Sequence, residues 1–339
     1  MPRKPRIEYA GAVYHVMNRG DKGEKIFKDQ QDYEIFFAGM GEVCDRCGWK
    51  VHAFVYMPNH FHWLLETPEP NLVSGMKWFL GAYSQRFNSR HGERGHVFQG
   101  RYKALPIQPD SGGYFETVST YIHLNPARAG LVIKDVEGLN SYKWSSYPAY
   151  LDTRRNRPDW LVVDRVLGNI ACKDTAAGRR EYNKFMGDVL GELRRKKGRE
   201  AYKQEWKPIR YGWFLGGDEF REKLIDCMSK VVEDKQRESY SGQGIVRHDE
   251  HQAKKLLARG LKALGMRTGD LKGLCKGDEL KCVLAWLIHT RTMVSHKWIS
   301  QNLEMGVISN MTKYIDSVKH PSTQRLAILK KKVQKCRNT

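Results

Sequence analysis

Two periods of apolar residues alternate along the first third of the chain. Ala12 to Asn18 (Ala-Val-Tyr-His-Val-Met-Asn) is an extended apolar run closed by Arg19-Gly20, and it reads as a strand. From about Asp29 the apolar positions Tyr33, Phe36, Phe37, Met40, Val43, Cys44 and Cys47 recur at helical spacing on one face. Val51 to Met57 is a second strand, rich in β-branched and aromatic residues. Pro58-Asn59 is a turn signal, and His60 to Glu66 comes straight back as the other arm of an antiparallel hairpin. Asn71 is placed to cap a second helix. Its stripe is Leu72, Met76, Phe79, Leu80, Tyr83 and Phe87, with Lys77, Gln85, Arg86 and Arg90 on the outer side. Gly100 to Ile107 predicts a fourth strand carrying basic residues. The order βαββαβ predicts an α+β domain of ferredoxin-like layout, with an antiparallel sheet and helices segregated to one face. Tyr114 to Asn125 follows as a short helix, ended by the constraint that Pro126 places on Asn125.

The second half changes character. Trp144 to Tyr147 and Pro158 to Val163 read as an extension packed on the first domain. Glu192 to Pro208 is dense in Lys and Arg, either an interdomain linker or the solvated basic face of a helix. From about Asp249 the pattern is helical throughout. Leu256, Leu257, Leu261 and Leu264 make one stripe, and Leu280, Val283, Leu284, Leu287 and Ile288 another. Ser295 and Ser309 are placed to cap two further helices around a turn holding Gly306. Ile299, Leu303, Met305, Met311 and Ile315 would form their shared core. This predicts a helix-turn-helix with Asn310, Thr312 and Lys313 exposed where base edges are read; a plain bundle of amphipathic helices shows the same pattern. The expected division is a domain over 1–150, an extension and basic linker over 151–245, and an all-α region over 246–339.

Composition narrows the partners. The chain has 339 residues, a formal charge of +20 and a pI near 9.6, a field that favours polyanions, nucleic acid first. Aromatic residues make up 11%, so unpaired bases would have partners to stack on. No apolar run reaches the length of a membrane span, so no membrane partner is expected. Met1 to Arg6 is basic without an apolar segment behind it and does not read as a secretory signal. The seven cysteines are odd in number and scattered, which suits free thiols in a reducing bacterial cytoplasm, close to the nucleoid if DNA is the partner. No Gly-x-x-x-x-Gly-Lys-Ser/Thr stretch is present, and no nucleotide cofactor is expected.

Candidate chemistry sits in two places. On a strand His60 and His62 project from the same face, while Phe61, Trp63 and Leu65 face the other way. Paired imidazoles hold divalent metals, and they also occur as ordinary residues of a half-exposed strand. Tyr121 and Asn125 are four apart and share a helical face, with Tyr114 two turns earlier on roughly the same face. His123, two residues from Tyr121, faces away. Cys44-x-x-Cys47 falls on the apolar side of a helix and reads as core.

His60-Phe61-His62 within Met-Pro-Asn-His-Phe-His resembles the His-hydrophobic-His motif of HUH single-strand DNA endonucleases. Tyr121-Ile-His-Leu-Asn125-Pro126-Ala-Arg128-Ala-Gly130 resembles the tyrosine helix of single-tyrosine transposases, best the REP-associated tyrosine transposases, relatives of the transposases of small bacterial insertion sequences. The resemblance covers roughly residues 5–150. It implies an enzyme that cleaves and rejoins single-stranded DNA at hairpin-forming palindromes, with Tyr121 as nucleophile and a covalent 5′-phosphotyrosine. It implies a metal held by His60, His62 and a polar residue one turn after the tyrosine, here Asn125. The ion expected is Mg2+ or Mn2+, and this nitrogen-rich set favours manganese. Arg101 and Lys103 are candidate backbone contacts, and Arg3, Lys4 and Arg6 a basic tail reaching a groove. Asn18 and Arg19 fall near the site at the end of the first strand. Two other readings share these motifs: a catalytically silent DNA-binding regulator, and a relaxase or replication-initiator nickase.

Overall fold

The structure, a computed structural model, describes residues 6–109, 113–152, 157–237, 243–292 and 294–335. They fall into two compact units, one holding the sheet and the helices that follow it, the other the C-terminal helices together with 45–48 and 74–78.

The first unit is built on four strands: β1 (Ala12–Arg19), β2 (Lys50–Met57), β3 (His60–Thr67) and β4 (Lys103–Ile107). Helix α1 (Gln30–Cys47) joins β1 to β2, and α2 (Leu72–His91) joins β3 to β4. The sheet order is β2-β3-β1-β4 and every pairing is antiparallel, as the βαββαβ pattern predicts. Asn71 precedes α2 without a side-chain cap; its Oδ1 accepts the Trp49 indole N–H at 2.7 Å instead. Phe36 of α1 sets one face of the sheet. Its ring lies 5.1 Å from Phe61, 5.9 Å from Trp63, 4.7 Å from Phe79 and 4.8 Å from Tyr83. All of these residues are buried, and truncating such a ring costs roughly 3–5 kcal/mol. This packing commits Phe61 and Trp63 to the α1–α2 face, and strand alternation commits His60 and His62 to the other.

That second face is not open. Helix α3 (Tyr114–His123) packs across β2 and β3, so helices cover both faces, not one as expected. Nor does Pro126 end the helical path. The break falls at Leu124, and a further turn, α4 (Asn125–Arg128), follows with Pro126 in its first turn. Proline is tolerated there because its missing N–H would have had no helical partner. Short helices α5 (Val136–Ser141), α6 (Tyr147–Leu151) and α7 (Asp164–Asn169) come next. The stretch read as an extension with a basic linker or basic helix face is helical through α8 (Ala176–Arg194), α9 (Lys196–Glu205), α10 (Lys207–Tyr211) and α11 (Asp218–Arg237). The run Arg194 to Lys197 is the break between α8 and α9, where Arg195 is extended.

Later segments edge the sheet. Beside β2, Val51 pairs with Leu161 and Val55 with Ser145; beside β4, Ile107 pairs with Leu215. The last contact is a pair of backbone hydrogen bonds, Gln108 N–H to Leu215 C=O at 2.8 Å and Leu215 N–H to Pro106 C=O at 2.9 Å.

The second unit contains α12 (Gln243–Ala263), α13 (Glu279–Arg291), α14 (His296–Asn302), α15 (Met311–Lys319) and α16 (Gln324–Gln334). Ser295 caps α14, accepting from the Trp298 N–H at 3.2 Å. Ser309 does not cap α15; it lies inside a 3-10 turn, Ile308–Asn310, that leads into it. Ile299, Leu303, Met305, Met311 and Ile315 are buried in one core. Lys281 is 1% exposed, and its ammonium donates to the Leu274 and Glu304 carbonyls at 3.2 and 3.1 Å. It thereby ties down the turn between α14 and α15, where Glu304 has φ +52° and Gly306 φ +85°. Among the described residues no helix is long and apolar enough to cross a membrane.

Candidate active site

The two-residue turn Pro58-Asn59 places Met57 opposite His60, and β3 carries His60 and His62 away from the α1–α2 core. Their rings stand 5.0 Å apart and nearly perpendicular. Burial, then the Arg19 charge, pushes His60 down to about 4. Burial, reinforced by His15, His60, Arg128 and Arg210, holds His62 well below its ordinary value. Both imidazoles are therefore neutral near pH 7, the state that ligates a metal.

Each ring is oriented through Nδ1. His60 Nδ1 bonds Asn59 Oδ1 at 2.7 Å, and because a carbonyl oxygen only accepts, that proton sits on Nδ1 and Nε2 keeps its lone pair. His62 Nδ1 lies 2.9 Å from Nε2 of His15, a fully buried β1 residue whose ring stacks on it at 5.0 Å. Only the tautomer in which His62 donates leaves its Nε2 free to ligate, and His15 then carries its proton on Nδ1, a buried atom with no partner among the described residues. The donor set thus fits a metal: two neutral imidazoles, each held through its second nitrogen.

The cleft at these rings has a volume of about 460 Å³ and includes Asn18, Arg19, Arg101 and Lys103 in its wall. Asn18 and Arg19, expected near the site, stand there beside Arg101 and Lys103, expected as backbone contacts. Asn18 is held by the Gly100 carbonyl at 3.4 Å. Arg6 does not extend freely: its guanidinium donates to the Tyr102 carbonyl at 3.0 Å and lies 3.7 Å over that ring. Arg3 and Lys4 lie outside the described residues.

Tyr121 of α3 faces these histidines. Its ring is 5.6 Å from His62 and 5.9 Å from His15, edge-on to both, and only 6% exposed. The Arg128 guanidinium lies 4.8 Å from the Tyr121 ring centre and 4.4 Å from that of Trp206. Burial lowers the Arg128 pKa, and the neighbouring Tyr121 works against that shift. Asn125 is buried one turn after Tyr121, and its amide donates to the Tyr121 carbonyl at 3.1 Å; it makes no hydrogen bond to either histidine. Tyr114 is half-buried at the start of α3. His123 points away, bonded to the Tyr182 hydroxyl at 2.6 Å and the Ser146 hydroxyl at 2.7 Å.

Sequence reasoning missed His15, Arg128, Trp206 and Arg210. His15 shares strand parity with Met17, the residue paired with His62, and that signal was readable. Arg128 is one turn past Asn125, hidden by reading Pro126 as a stop. Trp206 and Arg210 arrive from helices more than eighty residues away and had no local signal.

A second group of metal-type donors exists. Asp29, Asp32 and His91 bring ligand atoms within 4.8 Å of one another. There Arg90 pairs with both carboxylates and already supplies the positive charge. In the C-terminal unit Asn310, Thr312 and Lys313 are all exposed at the start of α15.

Residues 8–125 match the family described as Transposase IS200 like. This bears out the likeness to the transposases of small insertion sequences read from the residues. No curated protein matches the chain. One similar solved structure is that of a REP-associated tyrosine transposase bound to a REP hairpin. It is 18% identical, with 48% of this chain and 92% of that one covered and a TM-score of 0.37.

Proposed function

We propose that the chain is a metal-dependent single-strand DNA endonuclease and strand transferase. It would act on hairpin-forming sequences through a covalent 5′-phosphotyrosine on Tyr121. The observation that carries this reading is that Tyr121 lies beside His62, 5.6 Å ring to ring, with the Arg128 guanidinium 4.8 Å from its ring centre.

His60 and His62 would hold a divalent ion, with Asn125 Oδ1 the candidate third donor one turn beyond the nucleophile. That ion, when bound, polarises the scissile phosphate and offsets the charge that develops on it. Among the described residues no carboxylate lines the cleft, so the phosphate itself would bring the negative charge. The Tyr121 hydroxyl attacks phosphorus, a new P–O bond to tyrosine forms, and the P–O3′ bond breaks. The phenol proton leaves to water, and the departing 3′-oxygen takes one up as a free hydroxyl. The Arg128 guanidinium, 4.8 Å from the Tyr121 ring centre, would offset negative charge that develops beside the nucleophile. The bond energy stays in the phosphotyrosine, so the 3′-hydroxyl can attack it later and rejoin the strand without a nucleotide cofactor. Arg101 and Lys103 would hold the backbone, and the exposed start of α15 with Asn310, Thr312 and Lys313 would read base edges in a helix-turn-helix.

The test is a labelled single-stranded hairpin with Mn2+, followed on a denaturing gel. A protein–DNA adduct is expected, absent in Tyr121→Phe although that variant still binds the hairpin. An adduct that survives Tyr121→Phe sinks the assignment and moves suspicion to Tyr114.

A further inference from the structure

Two further cavities continue the catalytic cleft, and shared wall residues link all three. Met17 and Lys103 line both the His60–His62 cleft and a cavity of about 770 Å³. Arg210 lines that cavity and a third, of about 440 Å³, which reaches Arg128. Lys134, Arg194, Arg199 and Lys203 stand in the wall of the third, and among the described residues no Asp or Glu lines any of the three. Each of the three thus carries cations in its wall, and the third reaches Arg128, the neighbour of Tyr121, whose buried Nη1 has no hydrogen-bond partner among the described residues.

The middle cavity adds a second kind of group. Tyr211 is 80% exposed and Trp213 45% exposed, both in its wall. Their backbone is not loose: Trp206 and Ile209 are buried before them, and Leu215 is bonded to the β4 edge just after. Two large exposed rings on an anchored segment, in a wall that also holds Arg6, Lys103 and Arg210, match the chemistry of an unpaired strand. Cations take its phosphates and rings take its bases, whereas a duplex keeps its base faces covered.

We propose that the Trp206–Trp213 segment is a single-strand guide. Arg128 and Arg210 take backbone phosphates on one side of the scissile one, and Tyr211 and Trp213 stack the unpaired bases beyond. This rests on the nuclease reading and extends it to chain outside residues 8–125 of the family match.

The experiment measures binding of the full chain to labelled oligothymidylate, and separately to a duplex of equal length, without metal and across a salt series. Tyr211→Ala and Trp213→Ala should each weaken single-strand binding about ten-fold, leaving duplex binding within about two-fold. Arg210→Gln should lower the slope of log affinity against log salt by about 0.7. Wild-type melting temperatures for the two aromatic variants would confirm that they fold. The guide is overturned if all three variants bind oligothymidylate as the wild type does, if duplex binding falls in step, or if the wild type does not bind oligothymidylate. The adduct assay on the same proteins separates the two readings. Weakened variants with no Tyr121 adduct leave the guide standing and remove the nuclease; adduct with unaffected variants does the reverse.

Discussion

Arg128 is the residue whose role depends most on where the chain puts it. Its guanidinium lies over Tyr121 and Trp206, and one of its nitrogens is buried without a partner among the described residues. A donor aimed at developing negative charge is worth about 100-fold or more in rate. Arg128→Gln should therefore slow adduct formation about 100-fold while hairpin affinity moves far less, read by single-turnover cleavage beside equilibrium binding. An unchanged rate would remove Arg128 from the chemistry. His123 is a residue of the opposite kind, fully buried between two hydroxyls and pushed down to about 3 by burial. Its unfolded value is near 6.5, so between those limits the unfolded chain binds the extra proton. Stability should be intact above pH 6.5 and fall as pH drops toward 3. Urea midpoints at pH 7, 5 and 4 should show the loss, with His123→Gln flattening it. What was legible here follows from parity. His60, His62, Tyr121 and Asn125 declare themselves by periods of two and four, whereas Trp206 and Arg210 reach the site only through tertiary packing.

The elements were readable where one face is strongly apolar. The four strands and the two long helices between them follow the alternation of buried positions, and the sheet order is the one that βαββαβ predicts. The misreadings lie at helix ends, where single side chains decide. Pro126 fits the first turn of α4 as well as it would the stop after α3, and only packing under Tyr121 selects the first. Ser309 has the right side chain for a cap but sits inside a 3-10 turn. Lys281 was invisible for another reason, since a lysine in an apolar stripe looks like a surface position. Buried, it holds two carbonyls across the turn before α15. Lys281→Met leaves both acceptors without their donor and should destabilise the C-terminal unit by about 1–3 kcal/mol. Urea unfolding followed by tryptophan fluorescence reads this, and an unshifted transition would make the lysine incidental.

At the scale of the molecule, charge and division into units work together. A net charge of +20 gives affinity for any polyanion, so discrimination has to come from a few exposed side chains. If α15 reads bases, Lys313→Gln should reduce the salt slope by about 0.9 without changing which sequence is preferred. Asn310→Ala should cost roughly 1–3 kcal/mol on the preferred sequence and little on others. Competition binding at several salt concentrations distinguishes them, and equal losses on all sequences would reduce α15 to a backbone contact. The pairing of Leu161 and Ser145 with β2, and of Leu215 with β4, has a consequence for handling this protein in pieces. A cut near residue 150 looks natural from the motifs, but it strips the strip of chain that seals β4 and part of the one that seals β2. The excised fragment would keep His60, His62 and Tyr121 and also present bare strand edges, a template on which one copy adds to the next. Such a fragment is expected to precipitate as it is concentrated, its chemistry lost to self-association and not to any missing ligand.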